Sequence, residues 1–241
     1  MISPSILLTV IGLCGYLFVA GNVLAAGFSV KPTRIFMNGS PQIEMTVGNG
    51  GDTEVFIQSE LMTWSQQAEK DVYTTSRDVL VSPPMFKIPA GGEQTVRVRY
   101  LQGPVKKERT YRLFLQEVQQ SESDQKTPVT LKIGVPIFIQ PEKTDTAQFG
   151  WLAKPTADGL SVQVNNTTNT HIQFTELKLS TVDGKVLSDE KVFVYVLAGQ
   201  TYRWNIKLKQ PLQADKLIMQ ASSDRDEIKA VIDVNSSAAF Q

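Results

Sequence analysis

Residues 129–139 read Val-Thr-Leu-Lys-Ile-Gly-Val-Pro-Ile-Phe-Ile. Val129, Leu131, Ile133, Val135, Ile137 and Ile139 are all apolar, and between them stand Thr130, Lys132, Gly134, Pro136 and Phe138. A strand sends alternate side chains to opposite faces, so this is one strand with an unbroken apolar face. Pro136 restricts where it lies: proline donates no ladder hydrogen bond and is confined to edges, strand ends or bulges. An edge strand is normally blunted by charge or bulges against unwanted pairing. Here the apolar face is retained. Two readings stay open: the core-facing last strand of a sandwich, or an edge offered to a partner chain for β-augmentation.

Outward from this strand the chain keeps one rhythm. Runs rich in Val, Ile, Thr and aromatics fall at Ile43 to Val47, Val55 to Trp64, Thr95 to Leu101, Tyr111 to Val118, Leu160 to Val164, Ile172 to Leu179, Val192 to Leu197, Tyr202 to Leu208 and Lys229 to Val234. Short strands at regular spacing mark an all-β sandwich or barrel. Asn49-Gly50-Gly51-Asp52, Pro89-Ala90-Gly91-Gly92, Asp158-Gly159 and Asp183-Gly184 supply the turns between them. Past residue 26, no segment sustains a helical apolar period. The stretch from Gln140 to Gln148 opens with Pro141-Glu142-Lys143-Thr144-Asp145, polar and without period, and is the expected domain boundary. The expected division is residues 27–140 and 141–241, each of a size that supports its own core.

The 241 residues carry 24 Lys and Arg against 24 Asp and Glu, a formal net charge of zero. Phosphate binding needs clustered, unbalanced cations, so nucleic acid is not an expected partner. One His (His171) and one Cys (Cys14) leave no zinc site of His and Cys, no CxxC pair and no expected cofactor or metal. His171 reads as a turn or surface side chain, and Trp64, Trp151 and Trp204 as core. Ile2 to Ala26 has no charged side chain, and its apolar stretch from Ile6 to Val19 runs to small residues at Ala25 and Ala26. Residues 1–26 therefore read as a signal peptide, although the first Lys is Lys31 and no basic residue precedes the apolar stretch. Export with cleavage would leave a cysteine-free chain, compatible with an oxidising compartment.

Three segments together resemble the periplasmic pilus-assembly chaperones of the chaperone-usher pathway. Residues 82–99, Ser-Pro-Pro-Met-Phe-Lys-Ile-Pro-Ala-Gly-Gly-Glu-Gln-Thr-Val-Arg-Val-Arg, are similar to the family's Pro-Pro, Pro-Gly and Val-Arg pattern. Tyr111-Arg112-Leu113-Phe114-Leu115-Gln116-Glu117 is similar to its aromatic strand ending in Glu, and the alternating strand follows in the right order. The turn Asn165 to Ile172, with Asn and His, resembles the archaic branch.

The resemblance implies two immunoglobulin-like β-sandwiches set at an angle, with a subunit-binding cleft between them. It implies a non-enzymatic periplasmic protein that caps a pilin subunit by donor-strand complementation and passes it to an outer-membrane usher, with no small-molecule substrate. The implied donor side chains are Val129, Leu131, Ile133 and Val135. The implied anchors for the subunit's terminal carboxylate are Arg34, Lys132 and Arg112; the lysine of the better-known branch would fall on Pro136. For the family's interdomain ion network, Glu117 and Asp215 match two members, while Gln140 stands where an arginine is usual. A secreted hydrolase is disfavoured by the lack of GxSxG or HExxH. A structural pilin or adhesin is the alternative, disfavoured because the donor-like strand is internal and a whole domain follows it.

Overall fold

The computed structural model describes residues 27–118, 130–146, 148–208, 212 and 214–234. The signal-peptide reading of residues 1–26, Cys14 and the donor position Val129 lie outside the described residues. In chain order the strands are β1 (Phe28–Lys31), β2 (Ile35–Met37), β3 (Gln42–Asn49), β4 (Val55–Gln67), β5 (Lys70–Thr75), β6 (Val79–Ser82), β7 (Met85–Ile88), β8 (Glu93–Tyr100), β9 (Arg109–Glu117) and β10 (Lys132–Ile139). They continue as β11 (Phe149–Thr156), β12 (Gly159–Asn166), β13 (Ile172–Thr181), β14 (Val186–Val196), β15 (Thr201–Lys207), β16 (Lys216–Ser223) and β17 (Glu227–Asp233). The fold is all-β, with no helix among the described residues.

The first ten strands make two facing sheets, β1-β3-β8-β6 and β2-β10-β9-β4-β5, with β7 also paired to β4. The last seven make β11-β12-β15 and β14-β13-β16-β17. Each pair of sheets closes on its own apolar core. One gathers Ile35, Val47, Ile57, Val98, Leu113 and Ile137, the other Leu160, Phe174, Leu179, Val196, Leu217 and Ile232.

Seven of these strands are not in the sequence reading, for physical reasons. β1, β2, β6 and β7 are three or four residues long, too short to show a period. β5 is a polar edge strand, Lys-Asp-Val-Tyr-Thr-Thr. β11 is broken by Gly150 and Pro155, and in β16 the inward Leu217, Met219 and Ala221 are masked by Ile218 on the outer face.

The two sandwiches share one internal device. Asn49, at the end of β3, is buried and donates through Nδ2 to the carbonyls of Thr53, Ile88 and Pro89 at 2.7, 3.0 and 3.1 Å, while its Oδ1 accepts from Gly51 N–H. Asn166, at the end of β12, donates to Thr170, Val196 and Leu197 at 2.8, 3.0 and 3.2 Å and accepts from Thr168 N–H. The turns they brace also correspond. Gly91 and Gly199 both hold φ near +70° (67° and 68°), a region in which an L side chain is strained.

Strand β10 occupies a special place. It pairs antiparallel with β9 along its whole length, but with β2 only through Ile137, Phe138 and Ile139. From Lys132 to Pro136 its outer edge is unpaired among the described residues, and Pro136 stands on that edge, as its missing N–H requires. The odd-numbered side chains of β10 point into the first core and the even-numbered ones to the outer face of the sheet, where Phe138 meets the second domain.

Candidate functional site

The cleft begins with the outer face of the β10-β9-β4-β5 sheet. Strand alternation puts Lys132, Pro136 and Phe138 of β10, Arg112 and Phe114 of β9, Trp64 of β4 and Tyr73 of β5 on this face. At its inner end Trp64, Phe138 and Leu197 are buried together, with Tyr73 and Tyr195 packed against them. Tyr195 meets Trp64 edge-on at 5.3 Å between centroids. Trp64 is thus a contact between domains, whereas Trp204 belongs to the second core and Trp151 packs against it.

Polar groups close the same junction. The amide of Gln66 donates to Tyr195 O at 2.8 Å and accepts Leu197 N–H at 3.0 Å, so one side chain takes the place of a strand's hydrogen bonds. Asn169 Nδ2 donates to the carbonyls of Lys106 and Lys143. The sequence expectation for His171 is corrected: it is neither on the surface nor in an idle turn. Its ring lies flat on Phe138 at 3.6 Å, and its Nδ1 is 2.6 Å from Glu108 Oε1, with both side chains fully buried. The same Oε1 accepts the His171 backbone N–H at 3.0 Å. A buried carboxylate is tolerable only when so compensated. Among the described residues the polar contacts across this junction include Glu108 with His171 and Arg34 with Asp224, and none is given by the Glu117 and Asp215 that the sequence pattern suggested. Arg203 and Glu69 add a more exposed contact at 3.5 Å.

Two of the expected anchors converge. Arg34, just before β2, donates to Gln173 Oε1 at 3.0 Å and lies 3.3 Å from Asp224 Oδ2 on the second domain. Arg112 covers the Trp64 ring at 4.1 Å, and its Nε is buried without a partner. Gly134 makes room for it: a Cβ there would stand 3.3 Å from Arg112 Cδ and 3.2 Å from Phe114 Cε1. Both guanidiniums act on the Tyr195 phenol, whose pKa is pushed up by burial first and by Asp224, against the downward pull of Arg34 and Arg112. Burial likewise raises Tyr73, with Arg112 opposing. Tyr195 therefore keeps its proton at neutral pH, and the cleft presents net positive charge around a phenol. No acidic side chain pairs with Arg112 among the described residues.

Lys132 lies elsewhere. It pairs in register with Gln116 while Arg112 pairs with Pro136, four rungs or about 13 Å along the strand. Its ammonium sits 4.5 Å over the Phe114 ring and 4.0 Å from Glu60.

The expected donor side chains divide along β10. Val135 is fully buried in its own domain's core and is not available to a partner in this structure. Ile133 is half-buried against that core. Leu131 is 37% exposed, and its carbonyl still accepts Glu117 N–H at 3.0 Å, so the ladder extends beyond the strand proper. The apolar row thus leaves the core as it runs toward the strand's start. Among the described residues, no group of three or more His, Cys, Asp or Glu could hold a metal ion.

Glu108, Gln66 and Tyr195 escaped the sequence reading. Glu108 sits in Lys106-Lys107-Glu108-Arg109, which reads as a solvated charge run; its partner is 63 residues away in sequence.

With this geometry in place, the comparisons with known proteins are informative. The family described as pili and flagellar-assembly chaperone, PapD N-terminal domain, matches residues 27–145. The probable fimbrial chaperone protein ElfD of Escherichia coli K12 is 28% identical over 189 residues, covering 74% of this chain and 75% of ElfD. Among solved structures, a chain of the CsuC-CsuE chaperone and tip adhesion subunit complex, from archaic chaperone-usher Csu pili of Acinetobacter baumannii, superposes with a TM-score of 0.65 at 19% identity, covering 88% of this chain and 100% of that one. A chain from the Salmonella enterica SafA pilin and SafB chaperone complex gives 0.60 at 16% identity, covering 86% and 96%. These structural likenesses establish the two-domain fold.

Proposed function

We propose that the chain, whose residues 27–145 match the pili and flagellar-assembly chaperone family, captures an unassembled pilus subunit on the free edge of β10. The family is one of chaperones rather than enzymes. The observation that carries the reading is the unpaired edge from Lys132 to Pro136, beside which the apolar row emerges from the core at Leu131. An unpaired edge offers backbone hydrogen bonds, and alternating side chains give the register. Leu131 and Val129 would enter the subunit's groove, Ile133 would bridge the two bodies, and Val135 would root the strand in its own domain. Each aliphatic side chain so buried contributes about 1.5–3 kcal/mol before ordering costs.

Arg34 and Arg112, flanking Tyr195, would take the subunit's terminal carboxylate; an arginine fork suits that planar anion. Lys132 would steer the edge rather than join that pair. Two sandwiches with closed cores favour this reading over a structural pilin. We take residues 27–140 and 141–241 as the two domains and residues 1–26 as the signal that delivers the chain to the periplasm, where an outer-membrane usher would receive its complexes.

The test is Leu131→Asp. Because Leu131 is 37% exposed, the variant should fold with an unchanged melting temperature and lose its one-to-one complex with the subunit in periplasmic extract. Retention of that complex would refute the donor-edge reading.

A further inference from the structure

Phe193 is 78% exposed, more than any of the other large apolar side chains left open on the surface. A single exposed apolar residue is ordinary, so its placement has to carry the argument. It lies on β14, two residues from Tyr195 and hence on the same face, about 7 Å away. That face is the one Tyr195 turns toward the first domain, where it packs on Trp64 and Phe138. Val192 and Val194, its neighbours, pack against the second core, so the exposure of Phe193 is a matter of direction and not of loose packing.

The local backbone sets that direction. Between the rungs Phe174↔Val194 and Glu176↔Lys191 the register shifts, with Val192 and Phe193 standing opposite the single residue Thr175. A bulge of this kind re-aims a side chain and twists the strand. β14 is also the edge of its sheet. The open ring of Phe193 therefore stands on the face of β14 that, two residues on, meets the first domain through Tyr195.

We propose that Phe193 is the second domain's contact with the captured subunit, packing on apolar surface beside the groove that β10 fills. The proposal rests on the reading that the cleft receives a pilus subunit, and it commits to that occupant because Phe193 shares a strand face with Tyr195, on whose phenol Arg34 and Arg112 both act. It makes capture a grip by two walls: β10 supplies the ladder and register, and Phe193 fixes the subunit's tilt against the second domain. The Lys191 and Glu176 ion pair on the same face rims the ring with charge, an arrangement of apolar centre and polar rim typical of interfaces.

The experiment places the photoreactive residue p-benzoyl-phenylalanine at 193, 131 or 182 in cells that assemble the appendage, and identifies the crosslinked partner by mass spectrometry. Position 182 is the control, since Val182 is 64% exposed beyond the far end of β13. The expected result is one and the same pilin-type subunit from positions 131 and 193 and none from 182. A subunit from 131 alone would overturn the role of Phe193 and leave the donor edge standing; a subunit from neither would overturn both. With that subunit purified, Phe193→Ser should keep the melting temperature and weaken binding about tenfold, equivalent to ~1.4 kcal/mol. Unchanged affinity would overturn the proposal.

Discussion

The two domains use the same asparagine-braced turn, and the residue five positions after each asparagine shows where they part. In the first domain that residue is Glu54, exposed and paired with Lys87 at 2.9 Å. In the second it is His171, wholly buried and paired with Glu108 of the other domain at 2.6 Å. Position within the turn is equal, yet one side chain faces water and the other is part of the junction. The difference lies in what the turn abuts, and it converts a solvated charge into a structural tie.

The sharpest way to break the comparison is to remove both side chains. His171→Leu leaves the Glu108 carboxylate buried with only a backbone N–H for company, and breaking a buried pair costs about 3–5 kcal/mol. We expect the melting temperature to fall and the single calorimetric transition to separate into two as the domains uncouple. Glu54→Ala, by contrast, should change stability by less than about 1 kcal/mol, as exposed ion pairs do. Equal effects would mean that the junction is not held by this pair.

Removing the asparagines themselves is next in size. Asn166→Ala takes a donor from the carbonyls of Thr170, Val196 and Leu197 and the acceptor from Thr168 N–H in a buried setting, with Thr170 O keeping Thr168 Oγ1 and Leu197 O keeping Gln200 N–H, whereas two of the three carbonyls that Asn49 serves sit in partly buried contacts. An unsatisfied buried polar group costs about 1–3 kcal/mol. Chemical denaturation should therefore show a loss of about 3 kcal/mol for Asn166→Ala and about 2 for Asn49→Ala; the opposite order would show that burial does not govern the cost of the two turns.

This contrast also explains what the sequence made legible. Alternation exposed β10 and most long strands, because a buried face repeats every second residue. Asn49 and Asn166 stood in segments read correctly as turns, but their equivalence depends on carbonyls some 30 to 40 residues away. Arg34 and Arg112 were picked out through family resemblance, and their meeting at Tyr195 is a product of two domains packing. Val135 was implied among the donated side chains by the family resemblance; periodicity marks the apolar face it lies on without telling where along the strand the domain's own core ends. Glu108 and His171 carry no local pattern at all: Glu108 stands in a charged run, His171 between Thr170 and Ile172, and each is meaningful only through the other.

The smallest expected effect concerns alkaline pH and again separates the domains. Tyr111 belongs to the first core, and its phenol donates to Asp78 Oδ2 at 3.1 Å. Burial first, then the Asp78 carboxylate, holds its pKa far above the ordinary tyrosine value, and burial also raises that of Tyr100. The unfolded chain releases these protons near pH 10, while the folded domain retains them. A raised folded pKa means stability that is complete below pH 10 and declines as pH rises through the interval up to the folded value. Among the described residues the second core has no fully buried tyrosine, Tyr202 packing against it only partly buried. Unfolding above pH 10 should therefore begin in the first domain, and Tyr111→Phe should make that domain's melting temperature less sensitive to pH between 10 and 11. A second domain that failed first in alkali would show that the junction around Tyr195, and not the core around Tyr111, is where these protons matter.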